Sequence, residues 1–387
     1  MALKAKNQSL TEYERKIHDG LNDAYTRCSR ERVAQREIAE LRMIVVSDLH
    51  RGDRKGADDF HRCERAYSAA IGHYLELGFE LLQLGDVDEL WENPVDPVLR
   101  SYKDVTALEQ EYLAQGRLLR FYGNHDLLWS YPEKVQKHLW KEARLEGLDV
   151  REALRLQVND GGTRLGELFF VHGHQGTDSS DLLAPIAKPV LRLLWRPIQA
   201  KLHFLSTTPA EDHVLRRRHD LAMSRWAFDK ARTATGDDPR PVLIAGHTHS
   251  PVHPDRRPDV RADAEITRAR EEVDKARASG VPREEVASRR QRYEWLAAAA
   301  RRQAAERQHE DRDLSPPALP CYFNTGCCCF PDGTITILKL DGDGIALETW
   351  NRKGERQAPE DPNELQTQLS DVFGRMSDPG PPPTDTG

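Results

Sequence analysis

Five short apolar runs, each closed by residues able to bind a metal, constrain this chain more than any other feature. They read Met43-Ile-Val-Val-Ser-Asp48-Leu-His50, Leu81-Leu-Gln-Leu-Gly-Asp86, Leu118-Leu-Arg-Phe-Tyr-Gly-Asn124-His125-Asp126, Leu168-Phe-Phe-Val-His172-Gly-His174 and Val242-Leu-Ile-Ala-Gly-His247-Thr-His249. Runs of this length, rich in Val, Ile, Leu and Phe and ended by Ser, Gly or a ligand, read as buried strands. In open α/β sheets the chemistry collects just past the carboxyl ends of the strands. Five strands delivering Asp, Asn and His side chains to one edge predict a metal site there.

The stretches between these runs predict an α/β fold. From 43 to 130 strand and helix alternate, with helices near 58–77 and 97–115, the pattern of a βαβ-type sheet. Residues 153–171 read as two strands joined through Asn159-Asp160-Gly161-Gly162, a turn-rich hairpin linker. Further strands are expected at 241–246, 319–325, 334–340 and 345–351. Ahead of the domain, residues 8–40 read as one lead-in helix. Thr11-x-x-Glu14 fits a capping box, and Leu10, Tyr13, Ile17, Leu21, Tyr25 and Cys28 form a single apolar stripe. Such a helix packs on its own domain or, alternatively, on a second copy. The expected organisation is a helical extension over 1–40, the main domain over 41–355 and a tail over 356–387.

Two helical insertions interrupt the domain. Residues 180–234 begin as a basic amphipathic segment, Leu182 to Phe204 interleaved with Lys188, Arg192, Arg196 and Lys201. Pro185, Pro189 and Pro197 break any continuous interfacial helix, so a core cover is favoured over contact with lipid. Residues 262–312 read as a helical hairpin split at Ser279-Gly280-Val281-Pro282, poor in large apolar residues. It is expected as a solvated arm, with a lid or a self-association surface as alternatives. The Pro-, Asp- and Gly-rich tail buries too little apolar surface to offset its ordering entropy and is expected to be disordered.

The 387 residues carry a net charge of −7, which argues against a general nucleic-acid-binding surface. Charged residues reach 31% and the mean hydropathy is −0.70, so part of the chain must be solvated. Six cysteines include the adjacent Cys327, Cys328 and Cys329, which cannot form a framework of small disulfide loops. The first residues lack an apolar core, and no apolar span of about 18 residues follows. These features predict a cytoplasmic protein with reduced thiols. Adjacent cysteines on a strand alternate faces, so the triplet is expected as small buried residues near the site.

The motifs Asp48-x-His50, Gly85-Asp86, Gly123-Asn124-His125-Asp126, His172-Gly173 and Gly246-His247-x-His249 each carry little weight alone. In this order, each at the end of an apolar run, they resemble the calcineurin-like metallophosphoesterases over about residues 42–250. Asn324-Thr325-Gly326 is similar to the closing-strand motif of that family. The resemblance implies a four-layer αββα sandwich and a binuclear metal centre. It implies that Asp48, His50 and His249 hold one ion, that Asn124, His172 and His247 hold the other, and that Asp86 bridges them. Carboxylate and amide oxygens mixed with imidazoles suit Mn²⁺, Fe or Zn²⁺, with Mn²⁺ favoured. The expected reaction is hydrolysis of a phosphomonoester or phosphodiester by a hydroxide shared between the ions. By the same resemblance His125 protonates the leaving oxygen and Asp126 orients its ring. Asp126 read for itself is equally a helix N-cap ahead of Leu127-Leu128-Trp129. Arg51 could pair with a substrate phosphate, and His174 lies near the substrate or on the surface.

Gly85-Asp-Val-Asp-Glu89-Leu-Trp91-Glu92 looks like the branch of UDP-diacylglucosamine pyrophosphatases, in which helices between the last two metal motifs hold acyl chains. His125 stands where that branch has Arg, and His174 where it has an acidic residue. A lipid-linked nucleotide is therefore the runner-up substrate. From a different class, the fold could serve as a catalytically silent scaffold that binds partners through 262–312. A nuclease ranks below these because the chain is acidic.

Overall fold

In the computed structural model the described residues are 11–29, 33–56, 58–177, 209–236, 238–253, 269–287, 321–358 and 366–377, with a few more between 289 and 297. The chain is mixed α/β, with two mixed sheets and helices packed on them. Among the described residues, no helix is long and apolar enough to cross a membrane.

The lead-in helix α1 spans Glu12–Ser29. Its capping box forms as expected: the Glu14 carboxylate accepts from the Thr11 backbone N–H, and the Glu14 N–H donates to the Thr11 hydroxyl. The helix then stops short of the expected length. Ala34–Glu37 is instead a strand, β1, pairing in parallel with Leu156–Asn159. This is a tertiary effect, since Ala-Gln-Arg-Glu has no strand pattern of its own and extends only because a neighbour offers a ladder edge.

One seven-stranded sheet is built from β2 (Arg42–Val46), β3 (Glu80–Leu84), β4 (Leu118–Phe121), β5 (Val150–Arg151), β10 (Ile335–Asp341), β11 (Gly344–Trp350) and β12 (Gln366–Gln368). Its order is β12-β11-β10-β2-β3-β4-β5, with β2 to β5 parallel and the other pairings antiparallel. A five-stranded sheet of order β1-β6-β7-β8-β9 adds β6 (Ala153–Asp160), β7 (Thr163–Val171), β8 (Pro241–Ala245) and β9 (Tyr322–Asn324). β6 and β7 form the expected hairpin, and β7, β8 and β9 run parallel.

The strand sequences explain the two cores. Along β2, Met43 and Val45 enter one cluster with Phe169, Phe170 and Leu243, while Ile44 and Val46 enter the other with Tyr67, Ile71 and Tyr112. Beyond the exposed Arg42, both faces of this apolar strand are therefore covered. The second cluster belongs to α2 (Glu64–Glu76), α3 (Val95–Ser101) and α4 (Lys103–Ala114). Tyr67, Ala70, Ile71, Tyr74 and Leu75 of α2 recur at helical spacing and are buried. On the five-stranded sheet, α1 packs against α5 (Pro209–Thr233), and Ile17 and Leu21 are fully buried. The apolar stripe of α1 is thus covered by its own chain.

The tail differs from its expectation. Before its last residues it adds β12 to the edge of the larger sheet and forms α6, Leu369–Ser377, whose Leu369, Val372, Phe373 and Met376 are buried. The Pro-rich composition hid one amphipathic turn pair, and Phe373 lies over Gly166, the one residue of β7 with no side chain to block it. The basic stretch Leu182–Phe204, the start of the 262–312 arm before 269 and most of it beyond 287 lie outside the described residues. The first half is helical at 269–278 and again at 283–287, on either side of the expected break.

Candidate metal centre

The five apolar runs end side by side, and their loops are tied together by backbone bonds. Asp48 N–H donates to Gly85 O at 3.1 Å, His50 N–H to Asp86 O at 3.0 Å, and Gly246 N–H to His172 O at 2.9 Å. The glycines of the motifs leave room for this approach: a Cβ on Gly246 would sit 2.3 Å from Ser47 Oγ, and one on Gly123 would sit 2.2 Å from Asp86 Oδ1. Seven described non-glycine residues have a left-handed backbone, and five of them are Asp48, His50, Asp86, His247 and His249. Each such residue costs about 1–2 kcal/mol. Strain of this kind concentrated on five candidate ligands is what a functional site held by its surroundings shows.

The side chains converge through specific atoms. Asp48 Oδ2 is taken by the Ser47 hydroxyl at 2.5 Å and the His247 N–H at 2.9 Å. Its other oxygen, Oδ1, faces three imidazoles: His249 Nε2 at 3.2 Å, His50 Nε2 at 3.9 Å and His172 Nε2 at 4.0 Å. Asp86 divides its oxygens likewise. Oδ1 accepts the His125 N–H at 2.8 Å, and Oδ2 lies 3.1 Å from His172 Nε2 and 3.9 Å from His50 Nε2. His247 joins Asp86 and His172 in a second grouping with ligand atoms within 4.8 Å of one another. The remaining ring nitrogens are held from behind, His50 Nδ1 by Glu89 Oε2 at 3.0 Å and His172 Nδ1 by Leu84 O at 2.8 Å. Outer partners of this type orient metal-binding imidazoles.

Electrostatics point the same way. Burial works against the charged form of Asp48, but His249 and His172 hold its carboxyl well below the usual range. Burial lowers His172 and His249, yet Asp86 and Asp48 overcome it and hold both at about 9. The two carboxylates therefore demand positive charge, and protons on these rings supply it when no cation does. Asp48 Oδ1, His172 Nε2 and Asn124 Oδ1 are all buried without a hydrogen-bond partner. Buried polar atoms left this way are costly unless something coordinates them. These buried Asp and His groups could hold a metal ion, and a donor set of carboxylate, amide and imidazole suits Mn²⁺, Fe or Zn²⁺.

Six of the seven expected ligands, Asp48, His50, Asp86, His172, His247 and His249, are brought together. Asn124 lies buried beside them with its Oδ1 free of hydrogen bonds. Neither a scan against protein-family models nor a search of curated proteins returns a match for this chain. The reading of the site consequently rests on its own geometry.

Three further expectations change. Asp126 does not touch the His125 ring. Its two oxygens accept the N–H groups of Gly123, Val87, Asp86 and Asp88 at 2.7–3.3 Å, clasping the loop after β3 to the loop after β4. It makes no side-chain cap for the turn that follows either. Arg51 is not available to a substrate, because it is buried and paired with Asp88 at 3.0 Å and Glu109 at 2.9 Å. His174 is not a surface residue: burial pushes it down to about 3, helped by the neighbouring charge of His172.

The partner of His125 is Glu89, whose Oε2 lies 2.5 Å from His125 Nδ1. Trp91 stacks on the same ring, with centroids 4.1 Å apart at 18°. Glu89 and Trp91 stand in the Gly85–Glu92 run noted in the sequence, but nothing there distinguishes Glu89 from Asp88 or Glu92. The cysteine triplet is buried as expected, and Cys329 Sγ approaches His249 Nδ1 at 3.7 Å.

Proposed function

We propose that this chain is a metal-dependent phosphoesterase with the four-layer αββα arrangement, hydrolysing a phosphomonoester or phosphodiester. The observation that carries the reading is the pair of carboxylate oxygens turned away from the backbone donors, Asp48 Oδ1 and Asp86 Oδ2, which face the Nε2 atoms of His50, His172 and His249. Asp48, His50 and His249 would hold one cation, Asn124, His172 and His247 a second, with Asp86 between them. A pair of divalent cations would supply Lewis-acid stabilisation of phosphoryl charge and acidify a water near neutral pH.

The chain's own residues supply the rest. Asp48 and Asp86 concentrate negative charge where cations are needed, and strained backbones aim the ligands before any ion arrives. His125 stands at the rim, a quarter exposed, while most of the ligands are buried. With Nδ1 engaged by Glu89, its other nitrogen is left to give a proton to the departing oxygen. Trp91 limits rotation of that ring.

The test is hydrolysis of p-nitrophenyl phosphate and bis-p-nitrophenyl phosphate by purified protein, chelated and then reloaded with Mn²⁺, Fe²⁺ or Zn²⁺. Turnover should require metal and vanish in Asp86→Asn. Metal-loaded protein that turns over neither ester, nor any of a panel of nucleotides, cyclic nucleotides, UDP-linked lipids and phosphoproteins, would favour the silent scaffold.

A further inference from the structure

We infer that His219 is a positioning residue that holds both histidine ligands of the second cation, His172 and His247, from one ring. The inference rests on the two-cation arrangement proposed above. His219 stands on α5 and is buried. Its Nε2 lies 2.7 Å from Gly173 O, the carbonyl between His172 and His174. A carbonyl oxygen only accepts, so Nε2 must carry a proton. In a neutral ring Nδ1 is then an acceptor, and the Tyr13 hydroxyl of α1 donates to it at 2.8 Å. The same ring meets His247 edge to face, with centroids 5.0 Å apart.

The two ligand loops are knitted together at this point. Gly173 has a φ of +113°, and its N–H donates to the Gln175 side-chain oxygen at 3.1 Å. A Cβ on it would sit 3.2 Å from Met223 Sδ, also on α5, and 3.3 Å from His247 Cβ. The loop is therefore pressed between the helix and the other ligand, and Gly246 N–H closes the arrangement on His172 O. A group that fixes one of these loops fixes both. Asp220, the next residue of α5, takes the following turn: its Oδ1 accepts the Thr248 hydroxyl at 2.9 Å and the Tyr322 hydroxyl at 2.6 Å. Thr248 lies between a ligand of each cation, whereas both ligands held by His219 belong to the second. Asp48 and His50 of the first cation are bonded instead to the loop after β3. Loss of His219 should therefore be felt unequally by the two ions.

The test is titration calorimetry of the chelated full chain with Mn²⁺, alongside electron paramagnetic resonance. A neighbouring pair of Mn²⁺ ions gives an exchange-coupled spectrum, and an isolated ion gives its own hyperfine pattern. Wild type should take up two ions and show the coupled spectrum. His219→Phe keeps a ring against His247 and removes both hydrogen bonds. It should weaken one of the two binding steps about 10–100-fold, the cost of losing an outer partner of a ligand, and leave the other unchanged. At Mn²⁺ concentrations that couple the wild type it should show the isolated ion. In that background His50→Ala, which strips the first cation of a ligand, should weaken the remaining ion, and His247→Ala should not. His219→Gln returns a side-chain N–H to the reach of Gly173 O and should recover most of the lost affinity. Tyr13→Phe removes only the hydroxyl; it should move the same step in the same direction by less, and it reads the inference if the His219 variants do not fold. Equal weakening of both steps, as a general loosening of the fold would give, or two unchanged steps, would overturn the inference. So would wild-type protein that takes up fewer than two ions. Selective loss of one ion in a protein whose wild type hydrolyses no ester would leave His219 in this role and remove the phosphoesterase reading instead.

Discussion

At the scale of single residues, the same side-chain types near the site serve different ends, and burial decides which. Arg51 follows His50 and could have reached a phosphate. It closes instead a buried network in which Asp88 and Glu109 are shared with Arg120, and Gln83 donates to Glu109 at 2.7 Å. Removing one member of such a network leaves charge buried without a partner. Arg51→Ala should therefore cost about 3–5 kcal/mol in stability, seen as a lower midpoint in urea unfolding. A normal midpoint with a raised KM would restore Arg51 to the substrate. His125→Ala should do the reverse, lowering kcat by about 10²–10⁴-fold with an unchanged unfolding midpoint. Intact turnover in that variant would remove His125 as proton donor. The ligand positions were legible in the sequence because each closes an apolar run. The partners of Arg51 and His125 were not, since Asp88, Glu89 and Glu109 meet them only after a helix and a strand have intervened.

At the scale of elements, the ends of the chain behave differently from their composition. Leader helix α1 was readable from its capping box and stripe, because an i, i+3, i+4 pattern needs no knowledge of the partner. What it covers was not readable. Tyr13 OH lies 2.8 Å from His219 Nδ1, and His219 Nε2 lies 2.7 Å from Gly173 O, so α1 braces the loop between His172 and His174 through α5. α6 was masked by the Pro- and Gly-rich residues on either side of it. Phe373→Ala should destabilise the protein by about 3–5 kcal/mol, measured by thermal or denaturant unfolding. A loss below about 0.5 kcal/mol, the range of ordinary surface changes, would show that the tail does not pack on β7.

At the scale of the whole molecule, the two sheets pool their charge at one edge, and that sets how the centre responds to pH. His172 and His249 are held at about 9 in the cation-free protein, so below that pH they carry protons that a cation must displace. Raised imidazole values therefore mean that metal affinity climbs with pH through the range from about 7 to 9 and levels off above it. Titration calorimetry with Mn²⁺ or Zn²⁺, repeated in buffers of different ionisation enthalpy, should register proton release on binding near pH 7. Affinity independent of pH over this range, with no protons released, would contradict the electrostatics described for Asp48 and Asp86.

Local pattern was enough to establish the longer apolar strands, the two-residue logic of their buried faces and the identity of the residues at their ends. These depend on periodicity and residue type, which are properties of neighbours along the chain. Which oxygen of Asp48 or Asp86 faces the imidazoles, which acid holds His125, that Arg51 is sealed inside and that 34–37 becomes a strand depended on the tertiary structure. Each of these is settled by groups distant in sequence competing for the same few hydrogen bonds, and that competition exists only once the sheets have formed.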